Sequence, residues 1–344
     1  MRINHYSFDL PFKYPFTISK GTKTVQPTFI VALEMMGLTG FGEAPAISYY
    51  HIPVSRMVED LESKRIFIEK FAFTEPDRYW HYLHHLFPDN SFLVCALDMA
   101  AWDLFGKLKQ KPLYALWNLD AQKTITTDYT IGIDSMEKMV SKIKENPWPI
   151  YKIKLGTDDD LEIMKELRKH TNSIFRVDVN GGWDLGQALE RIPALKDLGV
   201  EFIEQPLPKD DWPNMKILFE KSSLPVIADE SCVGESDLAK CKGHFHGINI
   251  KLTKCSGITP ARRMIVEARQ LGMKIMLGSM NESSIGASAL AQLSPLADWL
   301  DMDGPLLLSK DIATGIIFES GKPVLNNSPG LGVEFANGEE GLVS

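Results

Sequence analysis

The fold of this chain is decided by five short runs: YKIK at 151–154, IFRVD at 174–178, FIE at 202–204, PVIAD at 225–229 and GINIK at 247–251. Each run is largely apolar and ends on a charged residue. The charges lie at positions 154, 178, 204, 229 and 251, so consecutive charges are 24, 26, 25 and 22 residues apart. A strand, a loop, a helix and a second loop together need about 25 residues. The runs therefore indicate a repeating strand–helix unit.

Helical patterns fill the segments between the runs. At 160–167, for example, apolar residues recur with helical spacing. Further strand-like runs follow at 273–277 and 297–300. Strand–helix alternation of this length predicts parallel βαβ units closed into a (β/α)8 TIM barrel, whose functional groups lie at the carboxyl ends of the strands. The terminal charges lie at those ends, so a lysine, three carboxylates and a second lysine form an arc around one barrel mouth.

The N-terminal region has a different pattern. Strand-like runs at 28–34 and 40–44 are joined by a turn at 37–40, and helical patterns follow from 54 to 108. The strongest helical pattern, at 91–109, has one apolar face. Strands followed by helices predict an α+β domain.

The chain is therefore predicted to have three parts. The α+β domain, called the capping domain below, is placed at 1–118 and the barrel at 119–308, with its first strand at 124–131. The remaining tail, 309–344, contains a strand-like run at 315–318 and several turn pairs. We expect this tail to return to the capping domain and complete it.

The composition argues against several classes of function. The chain has 344 residues, 44% of them hydrophobic and 24% charged, as in ordinary globular proteins. Its net charge of −8, with scattered lysines and arginines, argues against nucleic acid or an anionic membrane surface as a partner. We expect no signal peptide and no membrane span. The four cysteines form no CxxC pair, which predicts reduced thiols and a cytoplasmic protein.

Three of the charges in the arc are carboxylates on successive strands: Asp178, Glu204 and Asp229. Neighbouring parallel strands are about 4.8 Å apart, so three carboxylates at one level would repel one another unless a cation lay between them. Oxygen ligands without histidine or cysteine suit Mg²⁺. The alternative is that each residue is an ordinary helix cap or loop acid. Three carboxylates at the ends of three successive strands argue against that alternative. The sequence therefore predicts one Mg²⁺ bound by these carboxylates.

Two lysines flank the carboxylates. Lys154 and Lys251 lie two strands before and two strands after Glu204, so they should face one another across the mouth. Lys152 shares the strand face of Lys154, so it can supply a second positive charge there, and we expect it to bind substrate. A lysine near a divalent cation and a second ammonium has a lowered pKa and can act as a base near neutral pH. The alternative, a pair of solvated surface lysines, conflicts with their position at strand ends.

Two opposed bases around one metal indicate a reaction. A carboxylate bound to Mg²⁺ becomes acidic at its α-carbon, because the cation stabilises the enediolate that forms. One lysine would remove the α-proton and the other would return a proton to the opposite face, which is racemisation or epimerisation. With one lysine idle, the same site could eliminate or cycloisomerise instead.

Five short motifs resemble those of the enolase superfamily, muconate lactonising enzyme subgroup. They are KIK at 152–154, DVN at 178–180, EQP at 204–206, DES at 229–231 and KLTK at 251–254. The resemblance covers almost the whole chain, including the capping domain. It implies one Mg²⁺ per subunit, Lys154 and Lys251 as catalytic bases, and supporting roles for Asn180 and Glu230.

The loop after the seventh strand, GSMNE at 278–282, departs from one branch of this superfamily. The mandelate racemase branch carries a histidine there, and its absence argues against that branch. The last strand ends in DMD at 301–303, which resembles the Asp-x-Asp motif of dipeptide epimerases, the L-Ala-D/L-Glu epimerases among them. There the pair receives the α-ammonium of the dipeptide, and Asp301 and Asp303 on one face would form such a cation site. The alternative is a loop rich in acids.

Rival functions remain open at this point. The motifs are also similar to those of o-succinylbenzoate synthases, cycloisomerases and N-acylamino acid racemases, which share the scaffold. The Asp301 and Asp303 pair favours a dipeptide epimerase that acts on the C-terminal residue, because synthase and cycloisomerase substrates carry no ammonium. A barrel that only binds a metal or ligand would have no use for two opposed lysines.

Side-chain specificity is not determined by the sequence. The resemblance implies that it lies in the capping-domain loops and the last barrel loops, where Ser279 and Met280 are candidates. Lys20 and Lys23 could pair with an acidic side chain, whereas Tyr50 offers aromatic surface for an apolar one. The expected partners are a dipeptide substrate and further copies of the chain in a homo-oligomer. Which lysine serves which epimer is equally open.

Overall fold

The computed structural model describes residues 1–18 and 21–335. It contains an N-terminal antiparallel sheet with helices and an eight-stranded parallel barrel surrounded by helices. The predicted fold class, a TIM barrel with an α+β capping domain, is confirmed. Within the described part of the chain, no helix is both long enough and apolar enough to cross a membrane.

The capping domain begins with an antiparallel meander, as predicted. Its strands are β1 (Arg2–Ile18), β2 (Gly21–Met35) and β3 (Leu38–Pro45). The first two strands pair along nearly their whole length. Near their adjoining ends, these two strands bring Phe16 and Lys23 to the pocket at the barrel mouth.

Helices follow the meander and join it to the barrel. They are α1 (Val54–Glu69), α2 (Pro76–Leu86), α3 (Ser91–Leu108) and the short α4 (Leu113–Leu116). On one side α3 packs against β3, where a Cβ on Gly42 would lie 1.9 Å from the carbonyl oxygen of Ala96. On the other side, Trp102 Nε1 donates to Thr259 Oγ1 at 2.8 Å. Helix α3 therefore lies between the capping sheet and the barrel.

The barrel strands are neighbours in chain order. They are β4 (Tyr129–Ile131), β5 (Ile150–Lys154), β6 (Ile174–Asp178), β7 (Val200–Glu204), β8 (Val226–Ala228), β9 (Gly247–Ile250), β10 (Lys274–Gly278) and β11 (Trp299–Asp301). A parallel bridge between Thr127 and Leu300 connects the last strand to the segment before the first. The predicted order of strands and loops is thus the observed one.

Helices follow the barrel strands. They are α5 (Met136–Glu145), α6 (Asp160–Arg168), α7 (Leu185–Asp197), α8 (Trp212–Lys221), α9 (Leu238–Cys241), α10 (Leu252–Cys255), α11 (Ile258–Gln270), α12 (Ser284–Ala291) and α13 (Gly304–Leu307). Burial follows the predicted spacing: in α6, Ile163, Met164 and Leu167 face the core. The core is formed mainly by these apolar helix faces and by the strands they cover.

The strand register places the predicted site residues near one level. Lys154 pairs with Asp178 across β5 and β6, and Asp178 pairs with Glu204 across β6 and β7. Glu204 pairs with Ile227 on β8, so Asp229 lies two residues beyond Ile227, just after the carboxyl end of that strand. Because side chains alternate along a strand, Asp229 shares the face of Ile227.

The first barrel strand is shorter than predicted. Strand β4 covers only the last three residues of the predicted segment 124–131. The Thr127 N–H donates to the carbonyl of Gly321 in the tail at 2.9 Å, and the Asp128 side chain pairs with Arg176 inside the barrel. Backbone groups before β4 therefore bond to the tail and to β11, and not to β5.

The C-terminal tail returns to the capping domain, as expected. Its strands are β12 (Ala313–Thr314), β13 (Ile317–Glu319), β14 (Lys322–Val324) and β15 (Glu334–Phe335). The Leu331 N–H donates to Asp103 Oδ1 of α3 at 2.8 Å, and the Phe335 ring meets Phe41 of β3 edge-on at 4.9 Å. The predicted strand at 315–318 is found two residues later.

Candidate active site

Three buried carboxylates lie together at the barrel mouth. Asp178 and Glu204 are fully buried and Asp229 is 3% exposed. One oxygen of each carboxylate lies within 4.8 Å of the others. Among the described residues this is the group of His, Cys, Asp and Glu side chains that can hold a metal ion. The donors are all hard oxygens, as Mg²⁺ requires, so the site fits this ion.

The carboxylates of this triad influence one another's pKa. Burial and the carboxylate of Asp178 raise the pKa of Glu204 to about 7. Burial would also raise the pKa of Asp178, but the ammonium groups of Lys154 and Lys152 outweigh it and lower this pKa to about 2. The negative charge of Glu204, the middle carboxylate, is therefore the least compensated by nearby positive charge. A divalent cation would provide that positive charge.

The two candidate bases contact different members of the triad. Lys154 Nζ lies 2.5 Å from Asp178 Oδ2, and Lys251 Nζ lies 2.8 Å from Asp229 Oδ2. Both side chains line the same pocket. The lysines therefore flank the triad from its two outer ends, with Glu204 between them.

The electrostatics of Lys251 differ from the sequence expectation. Burial lowers its pKa, but the carboxylates of Asp229 and Glu204 outweigh burial and raise the pKa above its ordinary value. The lowered pKa that the sequence predicts for Lys251 requires a bound divalent cation, whose charge would neutralise the same carboxylates.

Lys152 lines the pocket but is only 1% exposed. Its ammonium lies 2.6 Å from Glu204 Oε2, 2.6 Å from Asp301 Oδ2 and 3.2 Å from Asp178 Oδ2. Four negative groups outweigh the cost of burial and raise its pKa, Asp128 being the fourth. Lys152 therefore connects the triad to the last barrel strand as a permanent cation.

Two further residues hold the carboxylates in place. Asn249 Nδ2 donates to Glu204 Oε1 at 2.7 Å, and Lys254 Nζ donates to Asp229 Oδ1 at 2.6 Å. Sequence reasoning did not assign them roles. Asn249 could have been found, because it lies two residues before Lys251 and shares its strand face. A Cβ on Gly278 would lie 2.4 Å from Asn249 Oδ1, so glycine is needed there for this contact.

The aspartates of the last strand have unequal environments. Asp301 contacts Lys152, whereas no ion pair joins Asp303 to any residue that the structure describes. Asp303 Oδ2 accepts a hydrogen bond from the Thr130 N–H at 2.5 Å. Burial and the charge of Asp301 raise the pKa of Asp303 to about 7. Both aspartates line the pocket, and Asp303 offers a carboxylate not yet paired with a cation.

The structure brings most of the predicted substrate residues into one pocket. The pocket lies between the barrel mouth, the β1–β2 hairpin and the loop after β3. Its lining comprises Phe16, Gly21, Lys23, Ile47, Tyr49, Tyr50, Thr130, Lys152, Lys154, Asn180, Asp229, Glu230, Lys251, Ser279, Met280, Asn281, Asp301 and Asp303. Asp178 and Glu204 lie below it. The predicted Lys20 lies outside the described residues.

The proposed specificity residues differ in character. Lys23 Nζ donates to Gln26 Oε1 at 3.1 Å, and burial lowers its pKa. The Tyr50 ring packs against Phe92 at 5.5 Å, and burial raises the pKa of its hydroxyl. In addition to Lys152, Lys154 and Lys251, the pocket therefore offers the amine of Lys23 and the aromatic surface of Tyr50.

The supporting residues contact one another across two strand ends. Asn180 Nδ2 donates to Glu230 Oε1 at 3.3 Å, and the Asn180 N–H donates to Asp178 Oδ1 at 3.0 Å. Asn180 has a positive φ of 49°, which asparagine adopts more readily than most residues. Gln205 has a φ of 37°, and its side-chain oxygen accepts from the N–H groups of Asp229 and Ser231. Both loops are thus shaped around the triad.

Comparison with known proteins places this geometry in a family. Residues 3–117 match the mandelate racemase / muconate lactonizing enzyme N-terminal domain, and residues 135–339 match the enolase C-terminal domain-like family. The chain belongs to the enolase superfamily. Its mandelate racemase / muconate lactonizing enzyme domains account for both the capping sheet and the barrel, and the predicted family is confirmed.

Within the superfamily, several of the similar proteins are epimerases. The chain is 50% identical to the L-Ala-D/L-amino acid epimerase of Flavobacterium johnsoniae over 97% of this chain and 99% of that protein. The substrate-liganded L-Ala-D/L-Glu epimerase of Bacillus subtilis has a TM-score of 0.91 at 27% identity, covering 97% of this chain and 98% of that one. The dipeptide epimerase of Cytophaga hutchinsonii, complexed with Mg and D-Ala-L-Val, has a TM-score of 0.89 at 26% identity, covering 97% and 96%.

Proposed function

We propose that this chain is a Mg²⁺-dependent dipeptide epimerase that inverts the α-carbon of the C-terminal residue of its substrate. One observation carries the proposal: two opposed lysines and the Asp301 and Asp303 pair line the same pocket. The lysines provide a base for each face of an α-carbon, and the aspartates provide a site for an ammonium group. The similar proteins named above are epimerases of this kind.

The chain's own residues would divide the reaction between them. Lys154 and Lys251 would transfer the proton, one Nζ removing it and the other returning it to the opposite face. Asp178, Glu204 and Asp229 would hold Mg²⁺, which supplies positive charge to stabilise the negative charge that develops on the substrate carboxylate. Burial of the lysines and carboxylates keeps bulk water from competing for these contacts.

Asp303 would bind the substrate ammonium. Asp301 already contacts Lys152 at 2.6 Å, so its charge is partly compensated. Asp303 reaches no cation among the described residues, and it is only 4% exposed. An incoming ammonium group would compensate this buried carboxylate and lower its pKa from about 7.

The side-chain subsite is proposed to accept more than one class of residue. The amine of Lys23 suits an acidic side chain such as glutamate, whereas Tyr50, Ile47 and Met280 offer apolar surface. Lys23 donates to the neutral side-chain oxygen of Gln26 at 3.1 Å, so a carboxylate could replace that partner at little cost.

The rival functions on this scaffold are less well supported. An o-succinylbenzoate synthase, a cycloisomerase or an N-acylamino acid racemase binds no α-ammonium group, and would leave the carboxylate of Asp303 buried without a cation. Leaving a charged group uncompensated in this way is costly.

The test is a screen of free dipeptides in D₂O with Mg²⁺ present. Proton NMR should show loss of the α-proton signal of the C-terminal residue and appearance of the other diastereomer. The N-terminal residue should keep its α-proton. Turnover of o-succinylbenzoate precursors or muconates, without turnover of any dipeptide, would contradict the proposal.

Three expectations about the whole chain also belong to this proposal. We propose a cytoplasmic location, supported by the four cysteines, which are free thiols. We propose a homo-oligomer, and a division into a capping domain at 1–118, a barrel at 119–308 and a tail at 309–344. The match of residues 3–117 to one family domain supports the first boundary.

A further inference from the structure

Two buried carboxylates of the capping domain bind the N-terminal ends of barrel helices. Glu43 on β3 accepts hydrogen bonds at the start of α12. Asp98 on α3 accepts hydrogen bonds from the N–H and the hydroxyl of Thr259, near the start of α11, at 2.9 and 2.7 Å. Glu43 is 1% exposed and Asp98 is fully buried. The two contacts are chemically alike, but they lie at different distances from the pocket.

Glu43 accepts several hydrogen bonds from the segment that follows β10. Its Oε2 accepts from the Ser283 hydroxyl at 2.6 Å and from the Gly286 N–H at 2.9 Å, and its Oε1 accepts from the Ser283 N–H at 3.0 Å. Thr28 Oγ1 also donates to Oε1 at 2.8 Å. Both carboxylate oxygens are therefore fully used, and three of the donors come from the barrel.

The segment that Glu43 holds forms part of the pocket wall. Ser279, Met280 and Asn281 line the pocket, two to four residues before Ser283. Met280 packs against the apolar cluster of the capping domain, to which Ile47 and Tyr50 also belong. One apolar wall of the pocket is thus built from both domains.

Close packing leaves this segment little freedom to shift on its own. Glu282 Oε1 accepts from the Met280 N–H at 3.1 Å. A Cβ on Gly286 would lie 2.4 Å from Glu282 Oε2, and a Cβ on Gly304 would lie 2.7 Å from the Glu282 carbonyl oxygen. The position of Glu282, and with it Met280, is therefore tied to the start of α12, which Glu43 fixes.

We propose that Glu43 is a positioning residue for substrate specificity: it holds the 279–283 loop so that Met280 completes the wall that receives the C-terminal side chain of the dipeptide. This inference rests on the proposed function. Glu43 would act through Met280 and would not touch the substrate. Asp98 makes the same kind of contact at α11, which contributes no residue to the pocket, so its role would be stability alone.

The test compares Glu43→Gln with Asp98→Asn. Each change keeps the shape of the side chain but replaces one acceptor oxygen with an NH₂ group that faces N–H donors. Both variants should lower the melting temperature. For a dipeptide with a long apolar C-terminal side chain, Glu43→Gln alone should raise KM about tenfold. This is the size expected for one lost hydrogen bond to a charged acceptor. Its KM for L-Ala-L-Ala should change less than twofold, and kcat should stay within threefold of wild type.

A milder variant guards against unfolding of Glu43→Gln. Ser283→Ala removes one donor to Glu43 and leaves the carboxylate in place, so it should shift KM in the same direction by a smaller factor. Equal KM changes in the Glu43 and Asp98 variants, or wild-type KM values in both Glu43→Gln and Ser283→Ala, would overturn this inference. A wild-type protein that epimerises no dipeptide would overturn the proposed function and this inference with it.

Discussion

The binding of the substrate ammonium by Asp303 gives a prediction whose size follows from the structure. Asp303→Asn keeps the shape of the side chain and its contact with the Thr130 N–H, but removes the charge. At 4% exposure, solvent screens little of the lost interaction. A charge-assisted hydrogen bond in such a position is worth about 2–3 kcal/mol, so kcat/KM should fall roughly 30- to 160-fold.

The assay crosses the variant with a modified substrate. Epimerisation of a free dipeptide and of its N-acetyl derivative is followed by NMR or polarimetry for wild type and Asp303→Asn. N-acetylation should cost the wild type about as much as the mutation does, because it removes the other partner of the same contact. In the variant, N-acetylation should cost less than about threefold, since the interaction is already lost.

A matched control lies at the other end of the same strand. Asp298 precedes β11 and contacts Arg269 and Lys274, away from the mouth. Asp298→Asn should leave the preference for the free dipeptide unchanged. An N-acetylated dipeptide turned over as well as the free one by wild type would refute the role of Asp303 and favour an N-acylamino acid racemase.

Three further predictions follow from the site. Alanine in place of Asp178, Glu204 or Asp229 should abolish turnover while circular dichroism shows a folded barrel. Exhaustive chelation should abolish turnover reversibly, and full activity after chelation would exclude the metal site. The KM for a free dipeptide should fall about sixfold from pH 6 to pH 7.5, because Asp303, with a pKa of about 7, becomes ionised while the substrate amine, with a pKa of about 8, is still largely protonated; the KM of the N-acetyl derivative should stay flat. Lys23→Met should lower kcat/KM about fivefold for a dipeptide ending in glutamate and leave one ending in alanine unchanged, the modest size reflecting partial exposure; equal losses for both would exclude Lys23 as the carboxylate partner.

The residues nearest the chemistry could be predicted from the sequence because they follow a short-range rule. Five successive barrel strands end on or next to a charged residue at a regular interval, and parallel strands bring these ends to one edge. That rule places Lys154, Asp178 and Glu204 in direct register, as the structure has them. The same rule with a period of two residues would have found Asn249.

Contacts between distant segments could not be predicted in this way. Glu43 meets Ser283 across a sequence separation of 240 residues, and nothing in the run around Glu43 indicates its partner. The segment 124–128 consists largely of residues that favour strands, and the sequence predicts that it begins the first barrel strand. Its backbone instead bonds to the tail near Gly321, a partner that local propensity does not reveal.

The electrostatic state of the lysines also depends on the whole site. The sequence predicts that Lys251 lies beside carboxylates and a cation. It does not show which of these opposing charges has the larger effect on the pKa of the lysine. In the structure the carboxylates raise its pKa, and Lys254 shares Asp229 with it. Such a balance depends on distances of a few ångströms, which the sequence does not contain.

The two-base mechanism is tested most directly by proton exchange in single-lysine variants. Lys154→Ala and Lys251→Ala should each stop epimerisation in both directions, because a full turnover needs a base on either face. In D₂O, however, each variant should still exchange the α-proton of one epimer, and the two variants should exchange opposite epimers. Exchange of the same epimer by both variants, or epimerisation at the wild-type rate by either, would contradict the central claim and point to a single-base lyase or synthase.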